Sequence, residues 1–165
     1  MTITAVDPQI ADIRQIEQFL YREARYADEH DYEAWESLWT DDAIYWVPAN
    51  GADNDPLTQM SILYDNRSRI STRLKQLRTG KRYAQAPPSN LRRMVTNIEV
   101  LDSTSEECEV GANFVLLESR ERGTEVWAGR TTYRIRLVDG ELRLAFKKVV
   151  LVNNAVAVPT LGFLI

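Results

Sequence analysis

The sequence has one cysteine, Cys108, and one histidine, His30, in 165 residues. A lone cysteine excludes an intrachain disulfide and agrees with a reducing compartment. It cannot ligate an iron–sulfur cluster or a structural zinc, and without a second histidine there is no two-histidine carboxylate site. A metal centre carried wholly by this chain is therefore not expected. No stretch approaches the roughly 20 apolar residues that a membrane span needs. No Gly-rich loop follows a strand, so nucleotide fingerprints are missing. The opening residues lack the basic, apolar and small-residue succession of a secretory signal, which sets the expectation of a cytoplasmic protein. A formal net charge of -4 argues against a general nucleic-acid binder.

What is present alternates. Four segments have strand character, at 94–101, 107–118, 125–137 and 141–152, and Asp139-Gly140 between the last two is a short-range hairpin signal. In the third, Trp127, Thr131, Tyr133, Ile135 and Leu137 share one face, and Arg130, Arg134 and Arg136 the other. That is the pattern of an antiparallel strand covered on one side. In the second, Cys108, Val110, Ala112, Phe114 and Leu116 share a face, so Cys108 reads as packing. The fourth alternates through Leu142, Leu144 and Phe146, then turns apolar on both faces from Val149 to Val152. Either a bulge near Lys147-Lys148 or a second covered face contributed by another chain accounts for this.

Upstream, Ile10, Ile13, Ile16, Leu20, Ala24 and Ala27 form one apolar stripe. A helix over 8–28, opened by Asp7-Pro8, should lie on the core, with Arg22, Glu23 and Arg25 mostly away from it. A shorter helix over 31–38 turns Trp35 and Leu38 inward, Asp41-Asp42 breaks it, and a short strand over 43–47 stops at Pro48. A loop over 49–58 leads into an arginine-rich helix ending near Arg78. The apolar tail, 155–165, needs a surface to cover it, on its own domain or on a neighbour. The chain reads as one domain over 1–165, with a helical part over 8–80, a main sheet over 94–152 and the tail. Helices first and strands after give α+β: a cone-shaped, strongly curved antiparallel or mixed sheet with three helices packed on one face.

For chemistry, Asp28, His30, Asp31 and Tyr45 are the acid–base candidates, since a histidine beside carboxylates is a workable base. The plainer alternative places His30 in an exposed link while the aspartates cap helices. Ser68, Ser71 and Ser89 have no neighbouring base evident from spacing. The aromatics Tyr21, Tyr26, Tyr32, Trp35, Trp39, Tyr45 and Trp46 divide between core, interface and ligand readings. Arginine far outnumbers lysine and crowds into 67–82 and 92–93. Arg67, Arg69, Arg73, Arg78, Arg82, Arg92 and Arg93 are thus candidate subunit contacts, with Leu161, Phe163, Leu164 and Ile165 of the tail.

Several blocks carry more than periodicity: Tyr21-Arg22-Glu23-Ala24-Arg25, then Tyr32 and Trp35, then the run from Leu38 through Trp39-Thr40-Asp41-Asp42-Ala43 to Pro48. Asp65-Asn66-Arg67 with Arg73 and Leu74, Pro87-Pro88-Ser89, and Val95-Thr96-Asn97-Ile98-Glu99-Val100 follow in order. Together, over about 15–152, they resemble the small (beta) subunits of aromatic-ring-hydroxylating dioxygenases, the Rieske non-heme iron oxygenases. The sequence departs from the family pattern in placing Asn90-Leu91 between Pro87-Pro88-Ser89 and Arg92-Arg93.

The resemblance implies an NTF2-like fold and a structural subunit of an oxidoreductase in aromatic hydrocarbon catabolism, with no catalytic residue and no cofactor of its own. It implies a large alpha subunit holding a [2Fe-2S] Rieske cluster and mononuclear Fe(II), which performs cis-dihydroxylation with O2 and electrons from NAD(P)H through a reductase. It also implies self-association as a trimer within an α3β3 hexamer. Two readings from other classes stand beside it: a free-standing isomerase, dehydratase or cyclase using Asp28, His30 or Tyr45, and a non-catalytic ligand-binding oligomer.

Overall fold

Residues 10–81 and 86–165 are described by the computed structural model, in the order α1 (Ile13–Asp28), α2 (Tyr32–Ser37), β1 (Trp39–Pro48), β2 (Ser61–Asn66), α3 (Arg67–Arg78), β3 (Asn90–Ser103), β4 (Glu107–Arg120), β5 (Gly123–Val138) and β6 (Glu141–Leu151). Asp12, not Asp7, caps α1: its carboxylate accepts from the Gln15 N–H at 2.8 Å while the Gln15 side chain accepts from the Asp12 N–H at 2.9 Å. This reciprocal pair satisfies two otherwise orphaned donors and fixes the helix start. Asp7 and Pro8 lie outside the described residues. Asp31 caps α2 and Asn66 caps α3 by the one-way bond alone, each side chain accepting from the N–H three residues on.

The strands form one six-stranded sheet in the order β2-β1-β6-β5-β4-β3. Every pairing is antiparallel except β1 with β6, which is parallel. All three helices lie on one face. The expected cone is corrected here: the sheet is mixed and open, with β2 and β3 as unjoined edges, and it is neither closed nor strongly curled. An alternating pattern specifies which face of a strand is covered. It carries no information on how far the sheet bends.

Three further differences are local. Asp41 and Asp42 do not end an element but lie within β1, both exposed, and β2 occupies part of the region expected to be helical. The β5–β6 turn is as the sequence predicts, with Asp139 and Gly140 both at positive φ, 52° and 80°. The β6 irregularity lies at Ala145 rather than Lys147: Leu144 pairs with Ile135 and Phe146 with Arg134, leaving Ala145 as the extra residue. It inverts the alternation, so that Lys147, Val149 and Leu151 all face the core.

Where β5 and β6 meet, Gly129 has no room for a side chain. A Cβ there would collide with the Val150 carbonyl oxygen and approach the Phe114 ring to 2.9 Å. Gly129→Ala should cost about 1–3 kcal/mol through overpacking, read as a lowered urea midpoint with an unchanged slope. An unaltered midpoint would mean that the two strands lie farther apart than the register places them.

Candidate functional site

The four acid–base candidates do not converge. Asp28, at the end of α1, accepts from the Arg93 N–H at 2.8 Å and from Arg93 Nε at 2.7 Å, and both side chains are 4% exposed. Asp31 is occupied as the cap, accepting from the Ala34 N–H at 3.1 Å. His30 sits at φ 58° in the α1–α2 link, with Nε2 2.9 Å from the Ser89 carbonyl oxygen and Nδ1 3.2 Å from Tyr32 Oη. A carbonyl only accepts, so Nε2 carries the proton and Nδ1 accepts from the tyrosine. Tyr45 is fully buried, and its hydroxyl donates to the Ile165 backbone oxygen at 2.6 Å. Burial pushes its pKa up, out of reach of proton transfer near neutrality. Two clefts, of about 630 and 520 Å³, open on the surface, and none of these four residues lines either.

The charged centre of the core is one that pattern reasoning missed. Glu23 faces inward from α1, where its carboxylate accepts from Trp35 Nε1 at 2.7 Å and from Lys147 Nζ at 2.8 Å. Glu23 is 1% exposed and Lys147 2%. The ammonium also lies 5.7–6.0 Å from the ring centres of Trp35, Tyr45 and Tyr133, a box of electron-rich faces around a cation. Burial drives the Glu23 carboxyl up, but the Lys147 and Arg93 charges and the two hydrogen bonds outweigh it, leaving it below its ordinary 4.5. Burial lowers Lys147 more than Glu23 raises it, so its pKa falls below the ordinary 10.5. Burial also raises Tyr133. Glu23 was hidden because it follows the exposed Tyr21 and Arg22, and Lys147 because only the bulge at Ala145 turns it inward. A second missed carboxylate, Glu118, accepts from Ser89 Oγ, Arg120 Nε and Trp127 Nε1 at 2.6, 2.6 and 3.0 Å.

Most of the candidate contact arginines are paired within the chain. Arg67 and Arg78 share Glu36 at 2.9 and 3.4 Å, and Arg73 pairs with Asp65 at 2.6 Å. Arg69 donates to the Tyr64 carbonyl at 3.2 Å. Arg93, besides holding Asp28, donates from Nη2 to the Leu164 carbonyl at 2.7 Å. Arg92 is exposed and its side chain has no polar partner among the described residues; Arg82 lies outside them. Phe163, Leu164 and Ile165 are buried in the chain's own core, and Leu161 is half-buried. Among the described residues no cluster of three or more His, Cys, Asp or Glu could hold a metal ion. No helix among them is long and apolar enough to cross a membrane.

Comparison with known proteins gives a consistent result. Residues 22–157 match the family described as ring hydroxylating beta subunit. The chain is 31% identical over 136 residues, 81% of its length and 76% of the relative's, to the small oxygenase component of the p-cumate 2,3-dioxygenase system of Pseudomonas putida. It is 29% identical to the beta subunit of benzoate 1,2-dioxygenase of Acinetobacter baylyi, covering 93% of this chain and 94% of that one. Among solved structures, the beta subunit of the benzoate 1,2-dioxygenase of Burkholderia mallei superposes with a TM-score of 0.75 at 25% identity, over 88% of this chain and 94% of that one.

The buried pair yields a sign-determined pH dependence. Because Glu23 titrates below 4.5 when folded, the unfolded chain binds more protons between that lower value and 4.5. Its stabilisation is therefore complete above this window and is lost as pH falls through it. Glu23→Gln should flatten that part of the acid limb of a stability–pH curve. At neutral pH, Glu23→Gln or Lys147→Met alone should cost about 3–5 kcal/mol, and the double variant clearly less than the sum. Additive losses in chemical denaturation would show that the two groups are not coupled.

Proposed function

The chain belongs to the ring hydroxylating beta-subunit family, and from that premise we propose how it serves its oxygenase. It is the beta subunit of a multicomponent aromatic-ring dioxygenase system, and the observation that carries this is the family match across residues 22–157. Its part is non-catalytic. The donor chemistry agrees: Cys108 is buried, and His30, the one imidazole, is held between Ser89 and Tyr32. These residues do not fit an iron–sulfur cluster or a mononuclear iron. Both groups, with the electrons that reach them from NAD(P)H through a reductase, belong in this reading to a large alpha subunit, in a cytoplasmic α3β3 assembly. The substrate of that assembly is a benzoate-type aromatic carboxylate, a reading supported by the p-cumate and benzoate dioxygenase relatives.

The internal pairings sort the candidate contacts. Arg67, Arg73, Arg78 and Arg93 serve first to tie α3, β2, α2 and the tail together. Arg69 and Arg92, exposed and without a carboxylate partner among the described residues, are the ones offered to another subunit. Arginine suits this role because its planar donors bind carboxylates and carbonyls in pairs.

Reconstitution with the large subunit tests this reading. Arg92→Glu should weaken association without altering the circular dichroism of the chain, whereas Arg73→Glu should also lower its stability, because Asp65 is left buried beside a like charge. His30→Ala should leave kcat of the assembled oxygenase within about threefold, since losing a general acid or base costs about 10²–10⁴-fold. A thousandfold loss of kcat with assembly intact would restore a catalytic role to this chain.

A further inference from the structure

The C-terminal segment is held the way a ligand is held. Among the described residues none from 157 to 165 makes a backbone–backbone hydrogen bond, and the segment forms neither helix nor strand. The stretch that leads to it is exposed, with Val156 at 65%. Yet its last residues are buried, Phe163 meeting Trp127 edge to face with ring centres 5.3 Å apart. Its backbone is gripped by side chains alone. Tyr45 Oη donates to the Ile165 oxygen at 2.6 Å and accepts the Ile165 N–H at 2.9 Å, while Arg93 Nη2 donates to the Leu164 carbonyl at 2.7 Å. The gripping groups are themselves fixed: Arg93 by Asp28, and the Tyr45 ring beside the Lys147 ammonium.

The charge balance states what such a site would take. Arg93 is neutralised by Asp28 and Lys147 by Glu23. The segment therefore meets hydrogen-bonding groups rather than a net positive charge. The donor–acceptor pair at Tyr45 matches the N–H and oxygen of the last residue, the donor at Arg93 matches the preceding carbonyl, and Trp127 offers an aromatic wall to an apolar side chain. We propose that residues 161–165 are a tethered ligand of a peptide-binding site on the covered face of the sheet, and that this site accepts the same apolar segment from a second copy of the chain. The exposed stretch before it is the hinge. Exchange of one element between identical chains needs such a hinge and no new contacts. This goes beyond the beta-subunit role and does not depend on it.

The test uses the folded full-length chain carrying a protease site at the exposed residues 155–157 and a fluorescent peptide of residues 158–165. Before cutting, the tethered segment competes at an effective concentration on the order of millimolar, so micromolar peptide should not bind. After cutting in the native state, the labelled peptide should enter, the original tail should leave in proportion, and the chain should stay folded. Tyr45→Phe should weaken entry by about tenfold through the lost hydrogen bonds. Three results would overturn the proposal: retention of the tail without exchange, unfolding when it leaves, and equal entry into the parent and Tyr45→Phe chains.

Discussion

Burying a charge is the costliest thing this core does, and the Glu23–Lys147 contact at 2.8 Å is what makes it tolerable. Neither group has water to fall back on, so each is stable only while the other is in place. The pair joins the first helix to the last strand, and Trp35 closes it from α2. Replacing such a pair with well-packed apolar side chains is often neutral or stabilising, whereas removing one partner alone is costly.

The second buried pair, near enough for Arg93 to act on Glu23, extends the same logic toward the C-terminal segment. Asp28 binds the backbone and guanidinium of Arg93, which reaches on to the Leu164 carbonyl. A continuous polar line thus runs from the end of α1 through β3 to the C-terminal segment, in contact with Tyr45 at its far end. Every titratable group along it is consumed in holding the core. That is why an interior rich in acids, bases and phenols is compatible with a non-catalytic subunit.

The sequence exposed the parts of this fold that repeat. The alternation of β4 and β5 names the residues of the covered face from Cys108 to Leu116 and from Trp127 to Ile135. Asp139-Gly140 supplies the turn, and Asp31 caps its helix. The order and spacing of the blocks from Tyr21 to Val100 were enough to reveal the family. What escaped was whatever depended on a single local event. One extra residue at Ala145 moves Lys147 to the inside, and Glu23 is turned inward by a partner 124 positions away. The short β2 carries too few residues to show a period, and the bend of a sheet has no signature in alternation at all. The arginines were legible as a group, yet their partners Glu36, Asp65 and Asp28 lie in other elements. Only the fold separates those spent internally from those facing outward.

The central claim is that this chain supplies structure to an oxygenase whose metal chemistry resides elsewhere. Native mass spectrometry of the chain co-expressed with its large subunit, with iron quantified after the subunits are parted, addresses it most directly. The account predicts one hetero-oligomer containing both chains, with all iron retained by the large subunit and none by this one. Stoichiometric iron on this chain, or a chain that never joins the large subunit, would contradict it.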